Sequence, residues 1–331
     1  MVVPPSPYGP HMKPDLLVAG PMFPATLERL DREFTTHKYW LAQDKAAFLA
    51  GIKDKVRVVA TTAFAGVPRE MMDALPKLEL VAYFTVGYDQ IDMAEVKRRK
   101  IVLTNTPGAM ADAVVELTFG LMVAAARRVI PGDRFVREGK WLTSGFPLAQ
   151  QVIGKRIGIL GMGRIGRDIA KMAEAWKMPV AYHSRRRADD LPYTYCASTL
   201  ELAKQCDFLV AIVPGGPETR HIINEAVMKA LGPQGVLINV ARGSVVDEQA
   251  LLRCLSDGSL GAAALDVFDE EPKVPEGFFK LDNVVLQPHV GSATHDTRRA
   301  MGDLMIDNIA AFFAGKPLLT PVAETLASGK A

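Results

Sequence analysis

The sequence predicts an α/β protein that contains two doubly wound parallel sheets. Short apolar segments alternate with helical segments along most of the 331 residues, which is the rhythm of strand–helix–strand units. In the middle of the chain, residues 155–166 (KRIGILGMGRIG) join an apolar strand to a helix through three glycines. A chain of this length exceeds what one core usually supports, so we expect two domains, each with its own interior.

The first predicted unit begins at Asp15 and closes near residue 104. Its strands are DLLVAG, KYWL, VRVVATT, LELVAYFT and IVLTNT, and its helices are ATLERLDREF, KAAFLAGI, PREMMDAL and DMAEVKRRK. Ligands of open parallel sheets bind beyond the carboxyl ends of strands, which points to the loops TAFAG (62–66) and VGYD (86–89). Backbone N–H groups around Gly87 would suit a small carboxylate. A glycine turn without a ligand explains the same residues.

A long apolar helix is predicted from Ala109 to Ile130, after the strand breaker Pro107-Gly108. Because this helix is apolar almost all round, it must be buried. It could lie within one domain or pack against a second subunit, and we favour the subunit contact, which predicts a homodimer. A charged helix, GDRFVREGKW, is predicted to follow it and to end at Trp141.

Each glycine of the central turn has a physical task. Gly161 permits the turn, Gly163 lets a pyrophosphate approach the backbone, and Gly166 allows the helix to pack closely on the strand. The start of the helix supplies free N–H groups and a partial positive charge. A packing turn would also contain glycines, but the flanking strand and helix are the context that a dinucleotide site requires.

The strand after this turn, PVAYHSRRR (179–187), ends without a carboxylate. An NAD site normally places Asp or Glu there to bind the 2′-hydroxyl of the adenosine ribose. A 2′-phosphate would suit the residues that are present, Ser184, Arg185 and Arg186. A phosphate accepts a hydrogen bond from a hydroxyl and two parallel hydrogen bonds from a guanidinium. NADP(H) is therefore the predicted cofactor, with NAD(H) as the alternative. A solvated basic loop is the competing structural explanation.

Four further strands bring the second sheet to six. They are DFLVAIVP, GVLINVA, GAAALDVF and NVVLQPH, with the helices TLELAKQC, NEAVMKAL and DEQALLRCLSDG among them. The last helix, from about Thr294 to Gly315, is amphipathic. Because the first domain lacks a covering helix, we expect this one to cross back to it and to make that domain discontinuous.

Three polar residues directly follow strands of the second sheet, namely Arg242, Glu271 and His289. Reduction of a carbonyl group by a nicotinamide needs a proton donor that works near neutral pH, and histidine is the natural choice. We predict that His289 donates this proton, that Glu271 fixes its tautomer, and that Arg242 grips a 2-oxo acid. Singly, each could be structural. Their joint position, downstream of the glycine turn, favours catalysis.

Composition limits the kind of partner. The formal charge of +2 arises from interspersed signs and gives no basis for nucleic-acid binding. Three cysteines without metal-type spacing favour a reducing compartment and predict no metal site. No apolar run reaches membrane-spanning length and no signal sequence opens the chain, so we expect a cytoplasmic protein without a membrane partner. Residues 1–11 are rich in proline and are interpreted as a cloning remnant ahead of Met12.

Several segments resemble the D-isomer-specific 2-hydroxyacid dehydrogenase family, and most closely its glyoxylate/hydroxypyruvate reductase branch. The matching segments are VGYDQID (86–92), NTPG (105–108), GILGMGRIG (158–166), NVARGSVVDEQAL (239–251), ALDVFDEEP (264–272) and QPHVGSATHDTRRAM (287–301). The resemblance covers nearly the whole chain after Met12. It implies a flavodoxin-like substrate-binding domain of residues 12–104 plus 292–331, completed by the C-terminal helix, and a Rossmann-like NADP(H)-binding domain of residues 105–291.

The resemblance also implies site residues. The catalytic Arg, Glu and His of the family fall on Arg242, Glu271 and His289. The implied substrate-binding residues are Phe64, Val86, Gly87, Trp141, Arg242 and His289. The implied cofactor-binding residues are Gly161, Gly163, Arg164, Ile165, Gly166, Ser184, Arg185, Arg186, Val213, Pro214, Thr219, Val240, Ala241, Arg242, Asp266, His289 and Gly291. In related reductases an aromatic residue of the partner subunit reaches the active site of the homodimer, and Trp141 resembles that residue.

The predicted function is therefore NADPH-dependent reduction of glyoxylate or hydroxypyruvate to a D-2-hydroxy acid. Phe64 would border the substrate, so a bulkier 2-oxo acid such as hydroxyphenylpyruvate is an alternative. A nucleotide-sensing corepressor is an alternative of another class, because such proteins share the fold and can keep the three polar residues. Turnover of a small 2-oxo acid separates an enzyme from a sensor.

Overall fold

The computed structural model describes residues 13–88 and 90–326. They form two compact units. The first contains the described residues up to Met110 together with those from Thr294 onward, and the second contains Ala111–Ala293. The remnant predicted at residues 1–11 lies outside the described residues.

Strands and helices alternate along both units. Up to residue 110 they are β1 (Asp15–Val18), α1 (Pro24–Glu33), β2 (Thr35–Lys38), α2 (Lys45–Ile52), β3 (Val58–Thr61), α3 (Arg69–Ala74), β4 (Leu80–Tyr83), α4 (Met93–Arg98) and β5 (Val102–Thr104). The second unit contains α5 (Ala111–Ala126), α6 (Val129–Arg137), β6 (Ile157–Leu160), α7 (Arg164–Ala175), β7 (Val180–His183), β8 (Thr194–Tyr195), α8 (Thr199–Gln205), β9 (Phe208–Ala211), α9 (Glu225–Leu231), β10 (Val236–Asn239), α10 (Glu248–Ser256), β11 (Ala262–Leu265) and β12 (Val284–Leu286). The last helix, α11 (His295–Phe313), belongs to the first unit.

Local side chains start many of these helices. Six N-cap residues accept a hydrogen bond from the backbone N–H three positions later, which satisfies a donor that the helix itself cannot. They are Asp44, Asp92, Ser198, Asn224, Asp247 and Thr294.

The first unit is built on a five-stranded parallel sheet in the order β2-β1-β3-β4-β5, which is the flavodoxin-like order. Strands β3 and β4 are buried along their whole length, as expected when helices cover both faces of a parallel sheet. Met301, Met305 and Ile309 of α11 pack on one face, against strands β1, β3 and β4. The predicted return of the C-terminal helix to the first unit is therefore confirmed.

The second unit contains a seven-stranded parallel sheet in the order β12-β11-β10-β9-β6-β7-β8. This is the Rossmann order with one strand added beyond β11. The chain leaves β6 toward one side of the sheet and later returns to place β9 on the other side. The strand order therefore reverses at β6, and open sheets of this kind bind ligands at that point. The predicted fold class, two doubly wound α/β sheets, is confirmed.

Two strands differ from the sequence prediction. The strand predicted at KYWL is wrong, because Tyr39–Leu41 forms a 3₁₀ turn and the strand is the preceding Thr35–Lys38. Tyr39 and Trp40 pack against the two faces of the core, so their apolar character reflects packing of a turn. Strand β8 was not predicted, because two residues are too short to show a period of two.

The predicted apolar and charged helices are both present, but the break between them lies at residues 127–128 and not after Ile130. Arg128 has a left-handed backbone (φ 54°), which ends α5 and reorients the chain before α6. Helix α5 is largely buried in the second unit and contacts α7, β10 and β11, so the prediction of burial holds for it. Helix α6 buries none of its residues. The charged helix ends at Arg137, and Trp141 lies on a separate 3₁₀ turn, Lys140–Leu142.

Among the residues that the structure describes, no helix combines the length and the apolar character needed to cross a bilayer. The same residues contain no group of His, Cys, Asp or Glu side chains that could hold a metal ion. The three cysteines are buried and unbonded to one another.

Candidate active site

The turn after β6 requires glycine at two positions. Gly161 has a backbone φ of 108°, and a Cβ atom there would lie 2.5 Å from the carbonyl oxygen of Ile212. A Cβ atom on Gly166 would collide with the carbonyl group of Gly161. The strand and helix α7 therefore approach each other closely only because both residues lack a side chain.

Gly163 faces open space instead. A Cβ atom there would meet no atom within 4 Å, and no side chain caps the first turn of α7. The N–H groups of Arg164, Ile165 and Gly166 begin the helix and have no intrahelical partner. Together with the helix dipole they form a site for an anion. A pyrophosphate fits this turn, whereas a side chain at Gly163 would fill it.

The strand that would meet the adenosine ribose, β7, is followed by hydroxyl and guanidinium groups. Ser184 Oγ donates a hydrogen bond to the carbonyl oxygen of Arg186 at 2.6 Å, so its hydroxyl holds the loop together. Arg185 Nη1 lies 3.5 Å from Glu218 Oε2, and both side chains are exposed. Arg186 is exposed and forms no ion pair with any described residue. This loop thus places two exposed cations directly after β7, while its acidic residues, Asp189 and Asp190, lie near Arg187 and Arg167.

The loop after β9 packs against the glycine turn. Val213 Cγ1 would lie 2.9 Å from a Cβ atom on Gly161, and Pro214 is exposed beside it. Thr219 Oγ1 donates a hydrogen bond to the carbonyl oxygen of Pro214 at 2.7 Å. Thr219 therefore folds this loop back on itself.

Arg242 follows β10 on a tightly held loop. The side chain of Asn239 donates to the carbonyl oxygen of Arg242 (3.0 Å) and accepts from the N–H of Ala241 (3.1 Å). Arg242 Nη1 donates to the carbonyl oxygen of Ala241 at 2.7 Å. A Cβ atom on the next residue, Gly243, would collide with the backbone of Phe268, so this loop lies directly on the loop after β11. Val240 and Ala241 are buried beneath it.

Glu271 and His289 form a direct pair. His289 Nδ1 lies 2.7 Å from Glu271 Oε2, and the N–H of Phe268 donates to Glu271 Oε1 at 3.0 Å. Burial alone would raise the pKa of Glu271, but the hydrogen bonds from His289 and Phe268 and the charge of Arg242 outweigh it, so the pKa is lowered. An ionised carboxylate can only accept, so Nδ1 carries a proton. Nε2 of a side chain that is 43 % exposed remains for a ligand.

Asp266 holds the backbone next to His289. Its carboxylate is buried, with 2 % of the residue exposed, and accepts hydrogen bonds from the N–H groups of Val290 and Gly291, both at 2.8 Å. Burial raises the pKa of Asp266 even though these two hydrogen bonds oppose the rise. His289 itself has a left-handed backbone (φ 53°), which is strained for a residue with a side chain. Asp266 therefore fixes the strained turn that presents the imidazole.

The predicted substrate residues of the first unit follow β3 and β4. Phe64, after β3, is 94 % exposed. Val86 and Gly87 follow β4 and are partly buried, while Asp89 of the same loop lies outside the described residues. Trp141 of the second unit, also a predicted substrate residue, is 70 % exposed.

Sequence reasoning missed a cation at the same edge of the first sheet. The guanidinium of Arg298 lies 5.9 Å from the ring centre of Phe84, the residue after β4. Burial lowers the pKa of Arg298, and no carboxylate among the described residues pairs with it. The sequence does indicate that Arg298 faces the core. It lies three and seven positions before the buried Met301 and Met305, and residues at this spacing share one face of a helix.

A Rossmann sheet with an open glycine turn, and a Glu–His pair beyond its strand ends, defines the class of dinucleotide-binding oxidoreductases. The comparison with known families narrows this class. Residues 119–291 match the NAD binding domain of the D-isomer specific 2-hydroxyacid dehydrogenases. The chain belongs to this family, and its relatives place it in the glyoxylate/hydroxypyruvate reductase branch.

The similarity extends over both units. The chain is 46 % identical to hydroxyphenylpyruvate reductase from Plectranthus scutellarioides over 93 % of its own length and 98 % of that protein. It is 45 % identical to glyoxylate/hydroxypyruvate reductase A from Arabidopsis thaliana over the same shares. The structure of an NADPH-dependent glyoxylate/hydroxypyruvate reductase from Sinorhizobium meliloti, in complex with NADP and malonate, matches with a TM-score of 0.87 and 40 % identity, covering 96 % of this chain and 99 % of that one.

Proposed function

We propose that this protein is an NADPH-dependent reductase that converts glyoxylate or hydroxypyruvate to the D-2-hydroxy acid. The observation that carries the proposal is the Glu271–His289 pair, 2.7 Å apart beyond the strand ends of a dinucleotide-binding sheet. The names of the plant and bacterial relatives support the substrate class. The first unit binds the substrate and the second binds the cofactor.

Side chains of the protein transfer the proton and bind the substrate. When bound, the reduced cofactor supplies a hydride to the substrate carbonyl carbon. His289 Nε2 holds the proton that the carbonyl oxygen takes up, and in the oxidative direction it receives that proton back. Glu271 keeps the proton on Nδ1, which prevents ring rotation and stabilises the imidazolium. Arg242 binds the substrate carboxylate and polarises its carbonyl group.

Backbone groups of the first unit also bind the substrate in this proposal. The N–H groups of Val86 and Gly87 bind the substrate carboxylate, and Phe64 borders the rest of the molecule. Phe64 is almost fully exposed, so packing within its own unit does not hold its ring in one position. This observation favours hydroxyphenylpyruvate as a second candidate substrate, as does the name of the Plectranthus scutellarioides relative.

Arg185 and Arg186 bind the 2′-phosphate of NADPH, and the glycine turn binds the pyrophosphate. The exposed ion pair of Arg185 with Glu218 spans 3.5 Å and is weak enough for a phosphate to displace. The absence of a carboxylate directly after β7 supports NADPH as the cofactor, and NAD(H) remains the alternative. The NADP complex of the Sinorhizobium meliloti relative also supports it.

The protein acts as a homodimer in this proposal. Exposed apolar side chains cluster on α6 and the segment after it, and water contact with such a patch is unfavourable. They are Val129, Ile130, Val136, Trp141, Leu142 and Leu148. A second copy of the chain covers them, and Trp141 extends toward the partner's substrate.

A substrate panel tests the proposed function. Purified protein is mixed with NADPH or NADH and with glyoxylate, hydroxypyruvate or hydroxyphenylpyruvate, and the absorbance of the reduced cofactor is followed. We expect rapid oxidation of NADPH with at least one of the two small acids. Oxidation of neither cofactor with any of these acids would contradict the proposal and favour a nucleotide-sensing corepressor.

Glu271→Gln should remove a pH-dependent part of the stability. Because the pKa of Glu271 is lowered on folding, its ionised form stabilises the folded state fully above the unfolded pKa of about 4.3. This contribution is lost as the pH falls from there through the folded pKa. The difference in free energy of unfolding between wild type and Glu271→Gln, measured with urea, should shrink as the pH is lowered from 5. Glu270→Gln, an exposed neighbour, is the control. A difference that stays constant or grows in acid would contradict this assignment.

A further inference from the structure

We propose that Asn308 and Thr320, acting through Asn105, orient the two backbone N–H groups that hold the substrate carboxylate. The inference rests on the proposed role of Val86 and Gly87. It adds positioning residues that lie in the C-terminal part of the chain, outside the loop that they hold.

Two hydrogen bonds to its carbonyl oxygens hold the loop after β4 in place. Asn105 Nδ2 donates a hydrogen bond to the carbonyl oxygen of Val86 at 2.8 Å. The backbone N–H of Thr106 donates to the carbonyl oxygen of Thr85 at 2.9 Å. Two consecutive residues that follow β5 therefore bind two consecutive peptide groups of the loop.

These bonds determine where the N–H groups point. The carbonyl of Thr85 and the N–H of Val86 belong to one planar trans peptide group, and so do the carbonyl of Val86 and the N–H of Gly87. In such a group the N–H points away from the C=O. Fixing the two carbonyl oxygens thus directs both N–H groups away from residues 105 and 106. Neither N–H donates to a described acceptor, so both are available to an anion.

Asn105 is in turn fixed by Thr320. Thr320 Oγ1 donates to the carbonyl oxygen of Asn105 at 2.6 Å, and the N–H of Asn105 donates to the carbonyl oxygen of Thr320 at 3.3 Å. Both bonds act on the backbone that carries the Asn105 amide. The position of Nδ2 under Val86 therefore depends on the Thr320 hydroxyl.

Asn308 of α11 fixes Thr320. This residue is fully buried, and its Oδ1 accepts from the N–H groups of Leu319 and Thr320, both at 3.0 Å. Its Nδ2 donates to the carbonyl oxygen of Leu304 (2.8 Å) and to Thr320 Oγ1 (2.9 Å). Both donors and both acceptor sites of the amide are used, so it has one orientation. Thr320 Oγ1 accepts a hydrogen bond from Asn308 Nδ2 and donates its own hydrogen to the carbonyl oxygen of Asn105.

Thr320→Val tests this series of hydrogen bonds, because it keeps the shape of the side chain and removes the hydroxyl. Loss of one hydrogen bond of ordinary strength should raise the KM for glyoxylate and the Kd for malonate, a carboxylate probe, by about fivefold. The Kd for NADPH and the value of kcat should change little. Thr320→Ser, which restores the hydroxyl, should return both constants to the wild-type range.

Thr325→Val is the matched control. Thr325 is buried; its Oγ1 donates to the carbonyl oxygen of Val322 at 2.7 Å and accepts from the N–H of Leu103 on β5 at 3.1 Å. It therefore joins the same C-terminal segment to the same strand without reaching the loop after β4. We expect it to lower the melting temperature as Thr320→Val does, but to leave the KM for glyoxylate unchanged.

Amide hydrogen exchange of Val86 and Gly87 gives a readout that needs no activity. Faster exchange in Thr320→Val than in Thr325→Val supports the inference even if no 2-oxo acid is turned over, in which case only the proposed function fails. Equal exchange in the two variants, or equal effects on KM, would overturn the inference and leave the proposed function intact. If Thr320→Val does not fold, Asn105→Asp replaces it, since a carboxylate cannot donate to the carbonyl oxygen of Val86.

Discussion

His289→Gln should lower kcat for glyoxylate reduction by about 100-fold or more, the usual cost of losing a general acid. Glutamine approximates the size of histidine and can still donate a hydrogen bond to Glu271, but it cannot hold and release a proton near neutral pH. The binding of NADPH, measured by fluorescence titration, should change far less than kcat. Such a pattern would separate proton transfer from damage to the fold.

The chain contains a matched control for this variant. His37 on β2 pairs with Asp15 at 2.7 Å, the same distance as in the Glu271–His289 pair, but it lies at the edge of the first sheet. His37→Gln removes a comparable His–carboxylate pair and should leave kcat near the wild-type value. Unchanged turnover of His289→Gln would remove His289 from the proposed role.

Replacing Arg185 and Arg186 together by alanine should raise the KM for NADPH by about 100-fold and hardly affect the KM for NADH. Each charge-assisted hydrogen bond to a phosphate contributes about 1.5 kcal/mol at the lower end of its range, which suits exposed side chains. Two such bonds give about 3 kcal/mol, and about 1.4 kcal/mol corresponds to a factor of ten. NADH lacks the phosphate, so it reports any damage common to both cofactors.

Arg187→Ala is the control for the cofactor experiment. Arg187 is adjacent in the sequence, but its guanidinium lies 6.0 Å from the ring centre of Tyr195 and its Nε lies 3.3 Å from Asp189 Oδ1, so it has two partners within the protein. We expect a small and equal effect on both cofactors. Equal losses of NADPH and NADH in the double variant would show that the loop had been disrupted and would exclude a specific phosphate site there.

The sequence predicted the second sheet better than the first because its strands are apolar and its turns carry fixed chemistry. The glycines of the central turn and the polar residues after β10, β11 and β12 are recognisable without coordinates, since each lies in the loop that follows an apolar strand. Strand β2 was misplaced because its residues, TTHK, are partly polar and lie on the edge strand. The break before α6 was predicted after Ile130 and not at Arg128, because Arg128 carries no glycine or proline signal for a left-handed backbone, whereas Pro131 and Gly132 lie inside α6.

Contacts that depend on distant parts of the chain could not be predicted. Asn105 was recognised only as part of the NTPG segment, and nothing near it in the sequence indicates Thr320 or Asn308. The roles of Ser184 and Asp266 also needed coordinates, because both residues bond to the backbone of their own or a neighbouring loop. Sequence patterns identify strand ends, but they do not identify the side chains that hold the intervening loops.

The glycine turn after β6 has a practical consequence for enzyme engineering. At Gly161 and Gly166 any side chain meets backbone atoms that cannot move aside, so libraries that vary these positions will yield mostly unfolded protein. Arg185 and Arg186 are exposed on a surface loop and can be exchanged with little cost to folding. Attempts to convert the enzyme from one coenzyme to the other should therefore randomise that loop and leave the glycines untouched.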